Sequence, residues 1–585
     1  MQKNIRYKKI FLGAAAALLL LAACRKDGDG FLDKTDTGTI DREKTFSDSA
    51  LTMNFLNGVY RNLSYTYFMD NGLFGGGLWS FSDATDDSEI RWSGATAQTA
   101  QAYNSATFQG VADFTRMRND HWNMPYTCIR RANIFLANVE ASPLSPARKE
   151  LAKAEARFLR AFFYFHLVRT HGGVPLIGDK VYGLEDDFNL PRNSFEECVD
   201  YVVKEMEAVA PVLPLEQLGG EYGRPTRGAA LAVKAKMLLY AASPLFNEGN
   251  VGTSDAQKQL TGNTTIRPER WKLAADAFDA VMKLGVYELV TDNTTRPGYG
   301  FYTTFIERKN KEQIFLIMQA NTRNLENLLL PSSRGGQTYS FPTQQLVDAF
   351  PMANGKMIGE AGSGYDENDP YTGRDPRFYY SILYNGANWL LRTSNRQEPV
   401  WLYQFAPQDG LNTNSSSTRT GYLWRKALDE NAGGNYGVTP SHCLPSIRYG
   451  EILLGYAEAL NEADGPVPAV YAAVEAIRSR AGLVPYQLAP GLTKDAMREA
   501  IHNERRVELA FEEGHRFFDL LRWKQFHEKG SGDMYGMRAI KNGDTFTFEK
   551  FAFENRKFSN PQMYFMPVPQ VEINKVPTLL QNPGW

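Results

Sequence analysis

The highest density of side chains that could do chemistry lies between positions 504 and 522. This stretch carries Glu504, Arg505, Arg506, Glu508, Glu512, Glu513, His515, Arg516, Asp519 and Arg522. A carboxyl group with a suitable pKa can donate or accept a proton, so such a set is compatible with acid–base catalysis. On a helix, however, Glu504, Glu508 and Glu512 would recur every four residues beside arginines, and paired carboxylates keep low pKa values. The stretch is therefore interpreted as a structural ion-pair network.

Other patterns that would indicate catalysis or metal binding do not occur in the sequence. His166 and His171 are five residues apart, which places them on different faces of a helix and argues against a two-histidine metal site. His442 and Cys443 are neighbours whose side chains diverge in an extended chain, which argues against a thiol nucleophile. The sequence contains no H-E-x-x-H, G-x-S-x-G or Walker A motif, and its four cysteines lack metal-type spacing. These observations predict a protein that is not an enzyme.

An acidic loop after the first amphipathic segment contains Asp83, Asp86, Asp87 and Glu89. Carboxylates are the hard oxygen ligands that calcium prefers. Their spacing matches no EF-hand, which favours a solvated loop over a structural calcium site, with Asp83, Asp86 and Asp87 as the candidate ligands. No other cofactor is predicted.

A further group of residues has the chemistry of sugar recognition, in which aromatic faces stack on a pyranose and planar polar groups bind its hydroxyls. The candidates are Trp79, Arg91 and Trp92 around the acidic loop, and Trp389, Trp401, Tyr403 and Trp424 further along the chain. A single tryptophan is more typical of a core. We expect two or three of this set to contact a ligand, whereas Trp122, Trp271 and Trp523 lie in helical patterns and are predicted to be core residues.

The composition is that of a large globular protein. The chain has 585 residues, of which 43% are hydrophobic and 22% charged, which excludes a disordered chain and a polytopic membrane protein. A formal net charge of −2 offers no electrostatic reason for binding nucleic acid.

The first residues resemble a bacterial lipoprotein signal. Four basic residues precede an apolar run over 10–23, which is too short to span a membrane. The run ends in Leu-Ala-Ala-Cys, like a lipobox, so Cys24 is predicted to carry diacylglycerol and palmitate chains and to become the first residue. Residues 1–23 would be the signal peptide and 24–46 a lipidated flexible tether. Loss of the signal would leave a mildly acidic mature chain.

Helical periodicity then dominates the chain. A helix is predicted to begin at Ser47 or Asp48, followed by helices over about 117–140, 145–170, 194–210, 226–247 and 268–285. A second helical group is predicted over 447–464, 470–481 and 494–529. Consecutive helices joined by short turns predict a mainly α fold, a tetratricopeptide-like scaffold of helical hairpins. The organisation would be 47–287 helical, 288–445 variable and loop-rich, and 446–585 helical with a tail of short strands and turns from 530.

Six segments have distinctive sequences. They are AEARFLRAFFYFHLVRTHGGVPLI at 154–177, GRPTRG at 223–228, DPR at 375–377, IRYGEILLGYAEAL at 447–460, ERRVELAFEEGHRFFDLLRW at 504–523 and QNPG at 581–584. Together they resemble the SusD/RagB family of outer-membrane nutrient-binding lipoproteins, in the order in which that family has them. The stretch Lys26-Asp27-Gly28-Asp29 resembles the export tags of Bacteroidota surface lipoproteins.

The resemblance implies a cell-surface lipoprotein, held on the outer membrane by its lipid alone, that captures oligosaccharides and delivers them to a SusC-like TonB-dependent transporter. The variable loops of the family carry the ligand site. Three alternatives remain open at this point: a RagB-like peptide-binding protein on the same scaffold, a surface glycoside hydrolase, and a structural subunit without its own ligand.

Overall fold

A computed structural model describes residues 42–63, 80–91, 121–183, 185–411, 417–441 and 443–585 of the chain. The predicted signal peptide and lipidated Cys24 lie outside the described residues, as do Trp79, Trp92 and His442.

The first part of the described chain is helical, as predicted. Its helices are α1 Arg42–Phe46, α2 Ser49–Tyr60, α3 Asn123–Asn138, α4 Pro146–His171, α5 Phe195–Val209, α6 Arg227–Ala242, α7 Pro244–Asn247, α8 Asp255–Thr261 and α9 Glu269–Met282. Side chains cap their N-termini as the sequence indicated: the Asp48 carboxylate accepts the Leu51 N–H at 2.8 Å, and Ser194 and Glu197 form a capping box on α5.

These helices pack in sequence against their neighbours. Helix α3 packs on α4, α4 on α5, α5 on α6 and α6 on α9, so that successive antiparallel pairs build one scaffold. Helix α4 lies at its centre, and every residue from Phe158 to His171 is buried. The fold class predicted from helix pairing is confirmed.

The predicted boundary between the tether and the scaffold differs from the one in the structure. Residues up to 46 were expected to form a flexible tether, but α1 is helical and Phe46 is buried. Its ring lies 5.4 Å from Phe55 and 6.2 Å from Phe135, measured between ring centroids. The apolar Phe46 side chain therefore belongs to the core, and any tether ends before Arg42.

The middle of the chain changes character, also as predicted. It contains short helices α10 Tyr299–Ile306, α11 Asn324–Leu329, α12 Gln344–Ala349 and α13 Pro376–Ser381. Its strands are β2 Gln313–Ile317, β3 Ser340–Pro342, β4 Ile382–Leu383, β5 Asn388–Leu391, β6 Arg396–Pro399, β7 Leu423–Trp424 and β8 Leu444–Arg448, and β3 pairs with a strand of the first part, β1 Ser88–Ile90. They form antiparallel pairs β1–β3, β2–β8, β4–β7 and β5–β6. Most of this region is loop, held by short two-stranded pairings.

The C-terminal part returns to helices: α14 Tyr449–Asp464, α15 Pro468–Arg480, α16 Lys494–Glu508, α17 His515–Arg522, α18 Phe526–Lys529 and, near the end, α19 Gln570–Lys575. Helix α14 packs on α9 and joins the two helical groups. A break separates α16 from α17, where Gly514 adopts φ 72° and a β-carbon would lie 2.6 Å from Phe81. Glu512 therefore does not continue the helix of Glu504 and Glu508.

The tail differs from the expected short strands. Strands β9 Gly532–Asn542 and β10 Thr545–Arg556 form an antiparallel hairpin across the two-residue turn Gly543-Asp544. Met534 and Met537 of β9 are buried, while the aromatic residues of β10 are half-buried. The hairpin thus adds a rigid aromatic ribbon to the edge of the variable region.

Within the described residues, none of the helices combines the length and the apolar character needed to cross a membrane.

Candidate functional site

The ion-rich stretch from Glu504 to Arg522 is structural, as predicted, but its partners come from other elements. The Glu508 carboxylate accepts hydrogen bonds from Arg448 at 2.7 Å and Arg377 at 2.9 Å, and also pairs with Arg480. Burial opposes ionisation of Glu508, but the guanidinium groups of Arg480, Arg448 and Arg377 outweigh it and hold the pKa of this carboxyl well below its ordinary value. Such a group stays ionised and is a poor general acid.

The acidic loop is buried rather than solvated. Asp86 is buried and receives two hydrogen bonds of 2.8 Å from Arg516, with Arg506 at 2.8 Å. Burial opposes its ionisation, but these two arginines outweigh the effect and lower the pKa of Asp86. Asp87 pairs with Arg506 at 2.8 Å. Burial nevertheless raises the pKa of Asp87. Because both carboxylates are buried against guanidinium groups, the predicted solvated loop is wrong, and these arginines supply positive charge where a calcium ion would have to bind.

Asp83 has a different partner set in the same loop. Its carboxylate accepts hydrogen bonds from the Ser340 hydroxyl at 2.6 Å, the Ser88 hydroxyl at 2.7 Å and the Ser80 N–H at 3.0 Å. Burial raises its pKa to about 6. Asp83 therefore ties the loop to β1 and β3, while Asp86 and Asp87 join it to Arg506 and Arg516 of the C-terminal part.

One further group of metal-type side chains lies in the core. Ligand atoms of Glu451, Glu513 and His515 lie within 4.8 Å of one another. The Lys236 ammonium is 2.9 Å from Glu451 and 2.8 Å from Glu513, and Arg169 is 3.1 Å from Glu513. These basic groups supply the positive charge that a cation would bring, so the group is interpreted as another buried ion-pair cluster.

Two predicted ligand-binding tryptophans are core residues. Trp389 is fully buried, and its indole N–H donates to the carbonyl of Ala432 at 2.8 Å. Trp424 is also buried and stacks on Phe511 with 4.2 Å between ring centroids. Since neighbouring side chains cover both rings, the prediction that they contact ligand is corrected here. Trp122, Trp271 and Trp523 are buried, as predicted.

Arg91 of the predicted set is held by its neighbours. Its guanidinium donates to the carbonyl of Gln337 at 2.7 Å and lies 5.7 Å from the Tyr339 ring. It lines neither of the two surfaces defined in the following paragraphs, so it remains a predicted contact without further support.

Trp401 and Tyr403 lie together on the surface. We call the surface formed by Trp401, Tyr403 and Phe546 the aromatic platform. Trp401 is 43% exposed and stacks on Phe546 of β10 with 5.8 Å between centroids, while Tyr403 lies 5.7 Å from the same ring. An exposed ring braced by a second ring presents a flat apolar face, which is suited to the C–H face of a sugar.

Phe405 was missed by the sequence reasoning. Its side chain is 74% exposed, and its backbone adopts φ 65°, a left-handed conformation that is costly for a residue with a β-carbon. The loop around it is closed by a hydrogen bond of 3.2 Å from Leu411 N–H to the carbonyl of Leu402. A strained backbone that projects an aromatic ring into solvent is typical of a binding surface, and no sequence motif signals it.

Next to the platform is a cleft of about 350 Å³, which we call the polar cleft. It is lined by Arg296, Tyr379, Tyr384, Ala387, Asn388, Gln397, Arg425 and Glu430. Guanidinium, amide, carboxylate and phenol groups are the planar hydrogen-bonding groups that sugar hydroxyls require. Burial raises the pKa of Tyr384 to about 12, so its phenol stays neutral. None of these residues had been singled out from the sequence, because they come from four separate stretches of the chain.

The platform and the cleft are continuous through the backbone. Val400 N–H donates to the carbonyl of Ala387 at 2.8 Å, and Gly386 N–H donates to the carbonyl of Val400 at 2.9 Å. Ala387 lines the cleft and Trp401 follows Val400. The backbone that precedes Trp401 is therefore paired with the backbone that lines the cleft.

Two other clefts lie among the described residues, and one of them has another character. It encloses about 360 Å³ between α3, the segment over 175–190 and α19, and its walls include Trp122, Tyr126 and Phe188. Its lining is mainly apolar, with less of the planar polar chemistry that the polar cleft offers. The second, of about 300 Å³, also has polar side chains, among them Tyr222, Arg224 and Lys309. We take the platform and the polar cleft as the candidate site because an exposed tryptophan, braced by Phe546, lies beside that cleft.

Comparison with known proteins finds the same family from the sequence and from the fold. The SusD family model matches residues 301–585, and a SusD-like model described as "Starch-binding associating with outer membrane" matches 31–239. SusD-like protein P2 of Formosa agariphila is 24% identical over 99% of this chain and all of its own length.

Solved structures agree. A SusD-like protein of Bacteroides fragilis is 28% identical with a TM-score of 0.76, covering 93% of this chain and 99% of its own. A SusD-like carbohydrate-binding protein of the same species is 25% identical with a TM-score of 0.70, covering 92% of this chain and 100% of its own. Two family models that together span both helical groups, and relatives matched over nearly their whole length, lead to one conclusion: the chain belongs to the SusD family.

Proposed function

We propose that the protein binds glycans through the aromatic platform and the polar cleft. The observation that carries this proposal is an exposed, braced tryptophan, Trp401, which follows a residue paired with the backbone of a cleft lined with planar polar groups. Trp401, Tyr403 and Phe405 would stack on sugar rings, and the cleft would bond the hydroxyls of one residue of the glycan. A solved relative that is named a carbohydrate-binding protein supports this reading.

Binding without catalysis is part of the proposal. A glycoside hydrolase needs two carboxyl groups about 5–9.5 Å apart across the scissile bond. Among the described residues that line the polar cleft, Glu430 is the one carboxylate, and it is paired with Arg296 at 2.6 Å and Arg425 at 3.1 Å. The stacking surface also favours sugars over peptides, for which backbone-directed polar groups would be expected.

The site would be displayed at the cell surface. We propose that Cys24 carries the lipid anchor and that the protein hands its glycan to a SusC-like TonB-dependent transporter. The support is the lipobox sequence ending at Cys24 and a family model whose description associates it with the outer membrane. Cys24→Ala should move the protein from the membrane fraction to the soluble fraction, and an unchanged membrane fraction would contradict the anchor.

The binding proposal is tested with the chain from residue 25, which contains all the described residues. Affinity electrophoresis against a panel of plant, algal, fungal and host polysaccharides should retard the protein with at least one class, and calorimetry would give the affinity. Trp401→Ala should weaken that affinity roughly tenfold or more, equivalent to about 1.4 kcal/mol. Tyr486→Ala is the matched control, since Tyr486 is 37% exposed and lies outside the site.

Two results would overturn the proposal. One is the absence of binding to every polysaccharide in the panel, both with and without the co-expressed transporter. The other is a glycan that binds Trp401→Ala as tightly as it binds the wild-type protein.

A further inference from the structure

The polar cleft carries an imbalance of charge. Two guanidinium groups, Arg296 and Arg425, share the single carboxylate of Glu430. Arg296 donates to both oxygens of Glu430, at 2.6 and 3.3 Å, and Arg425 donates to one of these oxygens at 3.1 Å. The side chains that line the cleft therefore carry one net positive charge, on a mature chain predicted to be acidic overall.

The second guanidinium is incompletely satisfied. Arg425 has one hydrogen bond to a carboxylate, and its Nε is buried without a hydrogen-bond partner among the described residues. Burial lowers the pKa of Arg425, because its guanidinium is removed from water and shares the Glu430 carboxylate with Arg296. Aromatic faces give partial compensation: Trp389 lies 5.3 Å and Tyr380 6.0 Å from its guanidinium carbon.

The position of the two arginines suits an incoming anion. Arg296 is 44% exposed at its side chain and Arg425 11%, so one guanidinium lies at the mouth of the cleft and the other deeper within it. Guanidinium groups bind carboxylate and sulfate oxygens through two parallel N–H groups, which lysine cannot do. Asn388 and Gln397 of the β5–β6 hairpin line the same cleft, where the Gln397 amide donates to the carbonyl of Glu430 at 2.7 Å.

We propose that the polar cleft selects glycans that carry an anionic group, a uronate carboxylate or a sulfate ester, bound between Arg296 and Arg425. This inference rests on the proposed glycan-binding function and narrows its ligand to acidic polysaccharides. The aromatic platform would bind the neighbouring sugar rings by stacking, and the arginine pair would discriminate between charged and neutral residues.

The test compares three oligosaccharides of equal length by calorimetry at fixed pH and ionic strength. They are an oligogalacturonate, a sulfated galactan oligosaccharide and a neutral galactan oligosaccharide. We expect one of the two anionic probes to bind at least tenfold more tightly than the neutral probe. Comparison of the oligogalacturonate with the sulfated galactan shows whether the bound anion is a carboxylate or a sulfate ester.

Two charge variants then change the cleft in opposite directions. Arg296→Gln removes the net charge and should reduce the ratio of anionic to neutral affinity about tenfold. Glu430→Gln adds one net charge and should increase the ratio severalfold. Arg392→Gln, an exposed arginine in the turn of the same hairpin that does not line the cleft, is the matched control and should change the ratio less than twofold. Thermal melting confirms that each variant is folded.

The outcomes separate the two proposals. A neutral probe that binds as tightly as both anionic probes overturns the inference and leaves glycan binding intact. The inference is also overturned, with glycan binding intact, if Arg296→Gln leaves the ratio of anionic to neutral affinity unchanged while the protein remains folded. If no glycan of any class binds, the proposed function itself fails and the inference fails with it.

Discussion

Two of the arginine–carboxylate clusters in this molecule differ in how far their charges are compensated. In the scaffold, five basic side chains face five carboxylates: Arg377, Lys426, Arg448, Arg478 and Arg480 against Glu312, Asp375, Glu504, Glu508 and Glu512. In the polar cleft, two arginines face Glu430 alone. The scaffold cluster is balanced and buried, whereas the cleft is unbalanced and open.

The difference indicates that residue type alone does not separate a structural cluster from the proposed binding cleft. Balanced, desolvated charges fix the relative positions of α13, β8, α15 and α16, and they have no capacity left for a ligand. In the polar cleft the guanidinium groups outnumber the carboxylates, so the cleft would still be able to bind an anionic ligand. The degree of compensation, which depends on neighbours far apart in the sequence, separates the two roles.

The largest expected effect comes from breaking the balanced cluster. Glu508→Gln leaves Arg377, Arg448 and Arg480 short of an anion in a buried site, and the free energy of unfolding should fall by about 3–5 kcal/mol. Glu499→Gln on the same helix is the control: Glu499 is exposed and pairs with Lys529 at 3.3 Å, so its loss should change stability by less than about 0.5 kcal/mol. Urea denaturation of both variants measures the difference.

The same cluster predicts a pH dependence. Because the pKa of Glu508 lies below its ordinary value, its stabilising contribution is complete above the unfolded-state pKa of about 4 and is lost as the pH falls below it. The stability gap between wild type and Glu508→Gln should therefore narrow in acid. A gap that is constant with pH would contradict the ion-pair interpretation.

A second comparison uses two tryptophans of the variable region. Trp389→Ala should lower the free energy of unfolding by about 3–5 kcal/mol, because the ring is fully buried. Trp401→Ala should lower it by less than about 1 kcal/mol and should weaken glycan binding instead. Equal losses of stability in the two variants would show that Trp401 is a core residue and would remove the platform as a binding surface.

A buried carboxyl group without a basic partner gives a smaller effect. Burial raises the pKa of Glu326 to about 7, and one of its oxygens accepts the Asp429 N–H at 3.1 Å, directly before Glu430 of the cleft. The folded protein holds this proton and the unfolded chain does not, so stability should fall by about 2 kcal/mol between about pH 5 and pH 8. Glu326→Gln, measured by urea denaturation at both pH values, should lack this fall, and a fall of equal size in the variant would assign it to other groups.

The smallest effect concerns the strain at Phe405. Phe405→Gly and Phe405→Ala both remove the ring and should weaken glycan binding alike. Glycine adopts φ 65° without a steric penalty, so Phe405→Gly should be more stable than Phe405→Ala by about 1 kcal/mol. Melting temperatures of the two variants check this, and equal stability would indicate that the loop relaxes when the ring is removed.

The scaffold was largely predictable because its information is local. Capping residues such as Asp48 and Ser194 and the spacing of apolar residues specify each helix within its own stretch of chain. The hairpin β9–β10 was underestimated, because half-buried aromatic residues on one strand resemble a loop until their partner strand is known. Phe46 was assigned to a tether for a similar reason, since its contacts Phe55 and Phe135 lie elsewhere in the sequence.

The site was predictable only in part. Trp401 and Tyr403 were recognised by residue type, but so were Trp389 and Trp424, which are buried. Whether a tryptophan is exposed depends on the residues that pack against it, which are Ala432 for Trp389 and Phe511 for Trp424. The sequence around each tryptophan does not predict these contacts. The acidic loop failed as a prediction because Arg506 and Arg516, more than 400 positions away, neutralise it.

The sequence by itself therefore determined the helical scaffold, the family, and the structural nature of the Glu504–Arg522 stretch, since periodicity, capping and motifs are properties of neighbouring residues. Only the tertiary structure decided which aromatic rings remain exposed and which charges remain uncompensated. Both depend on groups that meet from distant parts of the chain: Arg296 and Arg425 come together on Glu430, and Trp401 is braced by Phe546. Burial and charge balance are sums over such neighbours, and they exist only once the chain has folded.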